Sequence, residues 1–322
     1  MAKNMKRKTL ISSLEDLLTS KEETRAGFIA MALEKNLLAT KYVNEAKALK
    51  ALASSVSKAK ELLSLTDIRK ALLSASGLSD KSLKHLTDAD KTTAITGLVE
   101  TFLEPAGAHF ADELVYRYLL TKGDTLGGSA RNLAGSLGDR KFLQNVISVF
   151  SLADLGFAWR DRRSRAWISE APFEAGFEKN ISAIYWKKKG RNRLLAMNVN
   201  VPLIKKNVDL VILDAKPEDL AGTDRSLFEQ NTRYVALGEL KGGIDPAGSD
   251  EHWKTSNFAL NRVRSSFQSL GLNPPTFFVG AAIERSMASE ILQQLNSRVL
   301  SRAANLTKDD QLTSVCEWIM NL

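Results

Sequence analysis

The stretch Tyr234-Val235-Ala236-Leu237-Gly238-Glu239-Leu240-Lys241-Gly242-Gly243 decides how this chain is read. A short apolar run of buried-strand type ends in a carboxylate and an ammonium two positions apart, and two glycines follow. Side chains alternate across a strand, so Glu239 and Lys241 project from one side. Leu240 then points into the core, with its carbonyl near the Glu239 carboxylate. Glu-x-Lys alone is common as a solvated pair. Here an apolar strand precedes it, glycines follow it, and an Asp-headed run lies upstream.

That upstream run is Asp209-Leu210-Val211-Ile212-Leu213. Two carboxylates on neighbouring strands can share a hard cation. Magnesium prefers oxygen ligands and keeps several waters, so Asp209, Glu239, the Leu240 carbonyl and a phosphate oxygen make a suitable metal set. Such an ion lowers the pKa of a bound water and stabilises charge developing on a phosphodiester. Lys241 would orient or deprotonate that water. Asp214, at the far end of the same run where a turn residue would sit, is the rival first carboxylate. Together these residues resemble the two halves of the PD-(D/E)xK nuclease pattern.

Past the glycines, Ile244 to Lys254 is rich in turn formers and leads into a helix that Asp250 could N-cap. His252 would lie in its first turn, close to the end of the Lys241 strand. A histidine there can be a base, a hydrogen-bond donor, a metal ligand or a packed group, and the residues alone leave this open. A third buried-strand run is Thr276-Phe277-Phe278-Val279-Gly280. Ile181–Trp186 and Arg193–Val201, around a turn at Lys187–Asn192, read as a β-hairpin. Helical stretches near 251–270, 287–296 and 308–320 alternate with these strands, which predicts a mixed sheet flanked by helices.

Residues 10–153 read as all-helical. Ser12 with Glu15, Ser20 with Glu23 and Thr87 with Asp90 have spacings that mark helix starts. Pro105 suits the first turn of a helix running through Phe110, Leu114 and Tyr118. Gly123-Asp124-Thr125-Leu126-Gly127-Gly128 reads as a turn between helices, and without a Gly-Lys-Ser/Thr ending it gives no support to nucleotide hydrolysis. The expected fold class is therefore α+β: residues 154–322 form an α/β catalytic region, and residues 1–153 form a helical region.

Lys and Arg number 45 against 37 Asp and Glu, a net charge of +8, which favours a polyanionic partner. Lys205-Lys206-Asn207, just before Asp209, and Arg160 with Arg162, Arg163 and Arg165 are the best candidates to neutralise phosphates. The Lys187–Lys189 turn and the helix bearing Arg262 and Arg264 are as credible as solvated faces. A single cysteine, Cys316, excludes a disulfide framework and a thiolate metal site. The basic start Met1–Lys8 is not followed by an apolar segment, and no stretch approaches a membrane span. A cytoplasmic protein without membrane contact is expected.

The segment from Leu237 through Gly242-Gly243-Ile244-Asp245-Pro246 to Thr255 resembles the active-site block of the AvaI/BsoBI restriction endonucleases. Val201–Asp209, Glu23–Asn36, Phe102–Gly107, Gly280–Glu284 and Ala304–Lys308 are also similar to that family. The resemblance covers nearly the whole chain. It is weak over the first ten residues, around 160–180 and through 216–232, and Ser249 stands where alanine is usual. The resemblance implies a homodimer that encloses double-stranded DNA, with the helical region 1–153 contributing to that enclosure and to recognition. It further implies Mg²⁺-dependent cutting of both strands at the degenerate palindrome CYCGRG. It places Asp209, Glu239 and Lys241 at metal and catalytic positions, His252 as an active-site histidine, and Lys81 and Asp245 as base readers. A carboxylate can accept from a cytosine amino group and an ammonium can donate to purine acceptors. Two alternatives stay open: a nuclease of the same pattern with another target, or a DNA-binding protein in which Glu239 and Lys241 merely pair.

Overall fold

The computed structural model describes residues 10–128, 130–169, 176–223 and 225–322, and of residues 130 and 131 the backbone alone. The basic stretch Met1–Lys8 lies outside the described residues. The helices are α1 (Leu14–Leu17), α2 (Lys21–Ala53), α3 (Arg69–Ala75), α4 (Asp88–Leu98), α5 (Phe110–Gly128), α6 (Ala130–Leu152), α7 (Ser249–Gln268), α8 (Arg285–Asn296) and α9 (Asp309–Asn321). The strands are β1 (Phe157–Asp161), β2 (Trp167–Ile168), β3 (Ile181–Lys188), β4 (Arg191–Val201), β5 (Lys206–Leu213), β6 (Tyr234–Lys241), β7 (Thr276–Gly280) and β8 (Arg302–Asn305). They form one mixed sheet in the order β2-β1-β3-β4-β5-β6-β7-β8. The pairs from β2 to β6 are antiparallel, and β6–β7 and β7–β8 are parallel. The protein is thus α+β, a mixed sheet flanked by helices. No helix among the described residues is long and apolar enough to cross a membrane.

The change from helix to strand falls between Leu152 and Phe157. The compact units divide differently: one holds the described residues of Met1–Phe28 with Ala134–Leu322, the other Ile29–Leu133. The second unit is helical and has its own core, in which Leu49 of α2, Leu72 of α3, Ile95 and Leu98 of α4 and Leu114 of α5 are all nearly inaccessible.

In the first unit the sheet is covered on both faces. Leu237, Val211 and Ala196 pack with Val263 and Phe267 of α7 on one face. Toward β7 the same face carries Phe278 against Trp253, Met287 and Leu17, joining α7, α8 and α1. On the other face Trp186 meets Phe150 of α6 at 5.0 Å and Phe277 meets Trp318 of α9 at 5.4 Å. β6 contributes to both faces, so its side chains are mostly buried, which is why it reads as a nearly continuous apolar run.

The helix starts at Ser20 and Thr87 form as the sequence predicts. Ser20 N donates to Glu23 Oε2 at 2.6 Å and Glu23 N to Ser20 Oγ at 3.1 Å, and Thr87 and Asp90 exchange the same pair. The first start slips by one residue: Asp16, not Glu15, takes the Ser12 and Ser13 amides at 2.8 Å each. The hairpin is present with a tighter turn, only Lys189 and Gly190 lying between β3 and β4. Their φ values of 49° and 80° match the right-handed twist of the strands.

Three expectations are corrected. Gly123–Gly128 is the last part of α5, not a turn. A helical glycine costs only about 1 kcal/mol relative to alanine, and the Thr125 hydroxyl still donates to the Thr121 carbonyl within the continuous ladder. Pro105 does not open α5. It stands between a π-helical turn, Val99–Leu103, and a 3-10 turn, Gly107–His109, and α5 begins at Phe110. Asp250 does not cap α7: Gly248 holds that position, and Asp250 pairs with Lys254 at 2.6 Å.

Candidate active site

Sheet pairing brings Asp209 and Glu239 together. Leu210 faces Gly238 and Val211 faces Leu237 across β5 and β6, so Asp209 and Glu239 fall in register on one face. The Lys241 ammonium stands between them, 2.8 Å from Asp209 Oδ2 and 2.9 Å from Glu239 Oε2. Asp209 Oδ2 also accepts the Leu240 amide at 2.9 Å, while the Leu240 side chain is buried on the opposite face. Asp214, the rival carboxylate, lies beyond the end of β5, exposed, 3.5 Å from Arg193.

Glu239 is 3% exposed. Burial, then the Asp209 charge, push its carboxyl up to about 7, partly offset by Lys241. Burial alone would depress the Lys241 ammonium, but the two carboxylates outweigh it and hold it above its ordinary value. The site therefore carries two acids, one of them poised to release a proton near neutrality, around a single cation.

The glycines after Lys241 set the surroundings. A Cβ on Gly242 would lie 2.6 Å from the Ala134 carbonyl and 2.8 Å from Gly138 Cα, so α6 meets the chain backbone to backbone. A Cβ on Gly243 would lie 2.8 Å from His252 Cε1, and the ring also packs on Gly248. His252, in the first turn of α7, is thereby held against the residue two beyond Lys241. Ile244 is seated on Gly27 of α2, where a Cβ would come within 2.4 Å.

One neighbour is absent from the sequence reading. Asp139 of α6, next to Gly138, accepts from Asn198 Nδ2 at 3.5 Å. Burial, and then the charge of Asp209, raise its carboxyl, with Arg162 and Lys241 acting in the other direction. Asn198 sits opposite Asp209 between the paired residues Met197–Leu210 and Val199–Val208, in a left-handed conformation with φ 52°. No motif marks Asp139; only the glycine contact between α6 and the end of β6 brings it in.

The donor chemistry fits a hard divalent ion. Among the described residues no cluster of three His, Cys, Asp or Glu side chains is preassembled for a metal. Magnesium, however, needs only one or two carboxylates when substrate oxygens and water complete its shell, and Asp209 and Glu239 already converge on a cation, Lys241.

The other sequence candidates of the first unit fall outside this centre. Lys205, Lys206 and Asn207 are exposed where β4 turns into β5, with Lys205 at φ 57°. Asp245 is exposed and caps the 3-10 turn Pro246–Gly248 by accepting from Ala247 N at 3.0 Å. Lys81 is exposed just before the short turn Ser82–His85 of the helical unit. Arg262 and Arg264 are engaged internally, with the Ile204 carbonyl at 2.7 Å and Thr276 Oγ1 at 2.8 Å.

The sequence profile of the family described as "Restriction endonuclease BsobI" matches residues 7–322. The chain is 49% identical over 312 residues to the type II restriction enzyme AvaI of Nostoc sp. (strain PCC 7120 / SAG 25.82 / UTEX 2576), covering 97% of this chain and 98% of that one. An AvaI from Anabaena variabilis matches to the same extent. The type II restriction enzyme BsoBI of Geobacillus stearothermophilus is 49% identical over 315 residues, 97% of each chain. With Asp209 on one strand facing Glu239 and Lys241 at the end of the next, the chain belongs to the BsoBI family of type II restriction endonucleases, site-specific deoxyribonucleases that act on double-stranded DNA.

Proposed function

We propose that the protein hydrolyses both strands of double-stranded DNA at CYCGRG sites in a Mg²⁺-dependent reaction, as a cytoplasmic homodimer. The observation that carries the chemistry is the bridge from Lys241 to both Asp209 and Glu239. A bound magnesium ion would supply an acidified water and charge neutralisation at the scissile phosphate. Asp209, Glu239 and the Leu240 carbonyl would hold it. Lys241 gives up its bridging position to orient the attacking water and balance charge on the phosphate. His252, placed by Gly243 and Gly248, is the second proton-handling group.

The resemblance to the AvaI/BsoBI restriction endonucleases supports this target. Asp245 and Lys81 are chemically suited to cytosine and purine edges respectively, and both are exposed. Lys205, Lys206 and Asn207 would position the backbone. The helical region 1–153 would contribute to enclosing and reading the duplex, with residues 154–322 as the catalytic region. A palindromic target and a two-fold dimer imply each other.

The test is digestion of a sequenced plasmid with purified protein and Mg²⁺, with mapped ends and Glu239→Ala alongside. Cuts confined to CYCGRG and lost in the variant are the expected result. Cuts elsewhere would discard the target and keep the nuclease; DNA binding without any cutting would overturn the catalytic reading.

A further inference from the structure

We infer that Arg160, Arg165 and Arg225 build a second phosphate-binding pocket, apart from the catalytic carboxylates; as a DNA contact it rests on the function proposed above. A cavity of about 190 Å³ is lined by the three arginines with Ser182, Thr223 and Phe228. None of the described residues lining it is acidic, and burial, then the charges of Arg165 and Arg225, hold the Arg160 guanidinium below its ordinary pKa. Like charges held together favour an anion between them. The cavity equals several waters at about 30 Å³ each, room for a tetrahedral oxyanion.

The pocket has a built floor. Arg160 of β1 faces Ala183 of β3, which faces Ala196 of β4, and the two alanines are almost wholly buried. Of the two, Ala196 lines the cavity, and its small side chain leaves room beside Arg160. Its Nη2 donates to the Gly222 carbonyl at 2.6 Å, which fixes the guanidinium. Its Nε is buried and has no hydrogen-bond partner among the described residues, a donor that an oxyanion in the cavity would satisfy. Arginine forks suit phosphate oxygens better than point charges do.

The position suits the DNA backbone. The row Arg160–Ala183–Ala196–Val211–Leu237 crosses the sheet by consecutive register and ends two residues before Glu239 on the same face. At about 4.8 Å per strand, the pocket lies within about 20 Å of the carboxylates. That is roughly half a turn of duplex, so the phosphate it takes flanks the cut.

Arg165 and Arg225 are exposed, so Arg165→Ala, Arg225→Ala and the double variant test the pocket without disturbing the fold. Duplex binding by the full-length protein is measured in metal-free buffer across a salt series, and thermal stability is measured with inorganic phosphate against chloride at equal ionic strength. Loss of one backbone contact lowers the slope of log K against log salt by about 0.9. A shallower slope in the double variant supports a DNA phosphate as the ligand. An unchanged slope, with phosphate stabilising the wild type alone, supports the pocket with a free phosphate as its ligand. No change in either measurement overturns the inference. Cleavage by the same wild-type preparation with Mg²⁺ reports separately on the nuclease reading.

Discussion

Asp209 and Lys241 are locked Oδ2 to Nζ at 2.8 Å across the antiparallel pair β5 and β6, so the lysine acts as the resident counter-ion of both carboxylates. Lys241→Met removes that charge and leaves Asp209 and Glu239 facing each other. Cleavage is expected to fall by at least about 100-fold, the usual size of a lost proton-handling group. In metal-free protein the Glu239 carboxyl should keep its proton to higher pH, read as a shift in the carboxylate infrared band. An unchanged titration would show that Lys241 does not stabilise the Glu239 anion.

Glu239 makes the metal-free protein less stable as pH rises. Its folded pKa, about 7, lies above the ordinary value of 4.5. The folded state therefore binds the proton more tightly, and the stability this gives is complete below pH 4.5 and lost as pH rises through 7. Glu239→Gln should match the wild type in unfolding free energy at pH 4 and exceed it at pH 8, by on the order of 3 kcal/mol, with a correspondingly higher melting temperature. Equal melting temperatures at pH 8 would contradict the buried-charge argument.

Asp139 adds negative potential beside Asp209 without contacting Lys241 directly. Asp139→Asn keeps the shape and removes the charge, so the site should hold a cation less tightly. The Mg²⁺ concentration for half-maximal cleavage is expected to rise roughly five- to tenfold, with the rate at saturation changed much less. A fall in the saturating rate at unchanged Mg²⁺ requirement would instead assign Asp139 a part in the chemical step.

Gly242→Ala tests the meeting of α6 with the end of β6. The new methyl would lie 2.6 Å from the Ala134 carbonyl, backbone that cannot rotate away. Destabilisation of about 1–3 kcal/mol is expected, with cleavage reduced beyond what lost folding explains because Asp139 and Lys241 separate. Gly123→Ala, inside α5 with no described atom within 4 Å, is the control and should be neutral or stabilising.

The carboxylates and lysine were legible because each depends on short-range pattern: a buried run, its last residues, and one antiparallel pairing. β1, β2 and β8 were not. Trp167–Ile168 is two residues long, and Arg302-Ala303-Ala304-Asn305 has neither branched nor aromatic side chains. β8 is a strand because β7 offers it a parallel edge, a tertiary fact. Asp139 was invisible for the same reason, lying within a helix whose only signal is Gly138. Asp250 looked like a cap by residue type, but Asp245 takes that duty one turn earlier, where its side chain reaches a free amide.

β6 is the seam of the sheet, antiparallel to β5 on one side and parallel to β7 on the other. A strand paired on both edges and buried on both faces opens only when the whole domain does, so its amides should be among the slowest to exchange with deuterated water. Glu239 and Lys241 thus ride on the least yielding part of the chain, whereas Lys205, Asp245 and Lys81 stand on exposed turns. If the proposed roles hold, substitution at Asp245 and Lys81 would change which bases are read while the rigid strand carrying Glu239 and Lys241 stays in place.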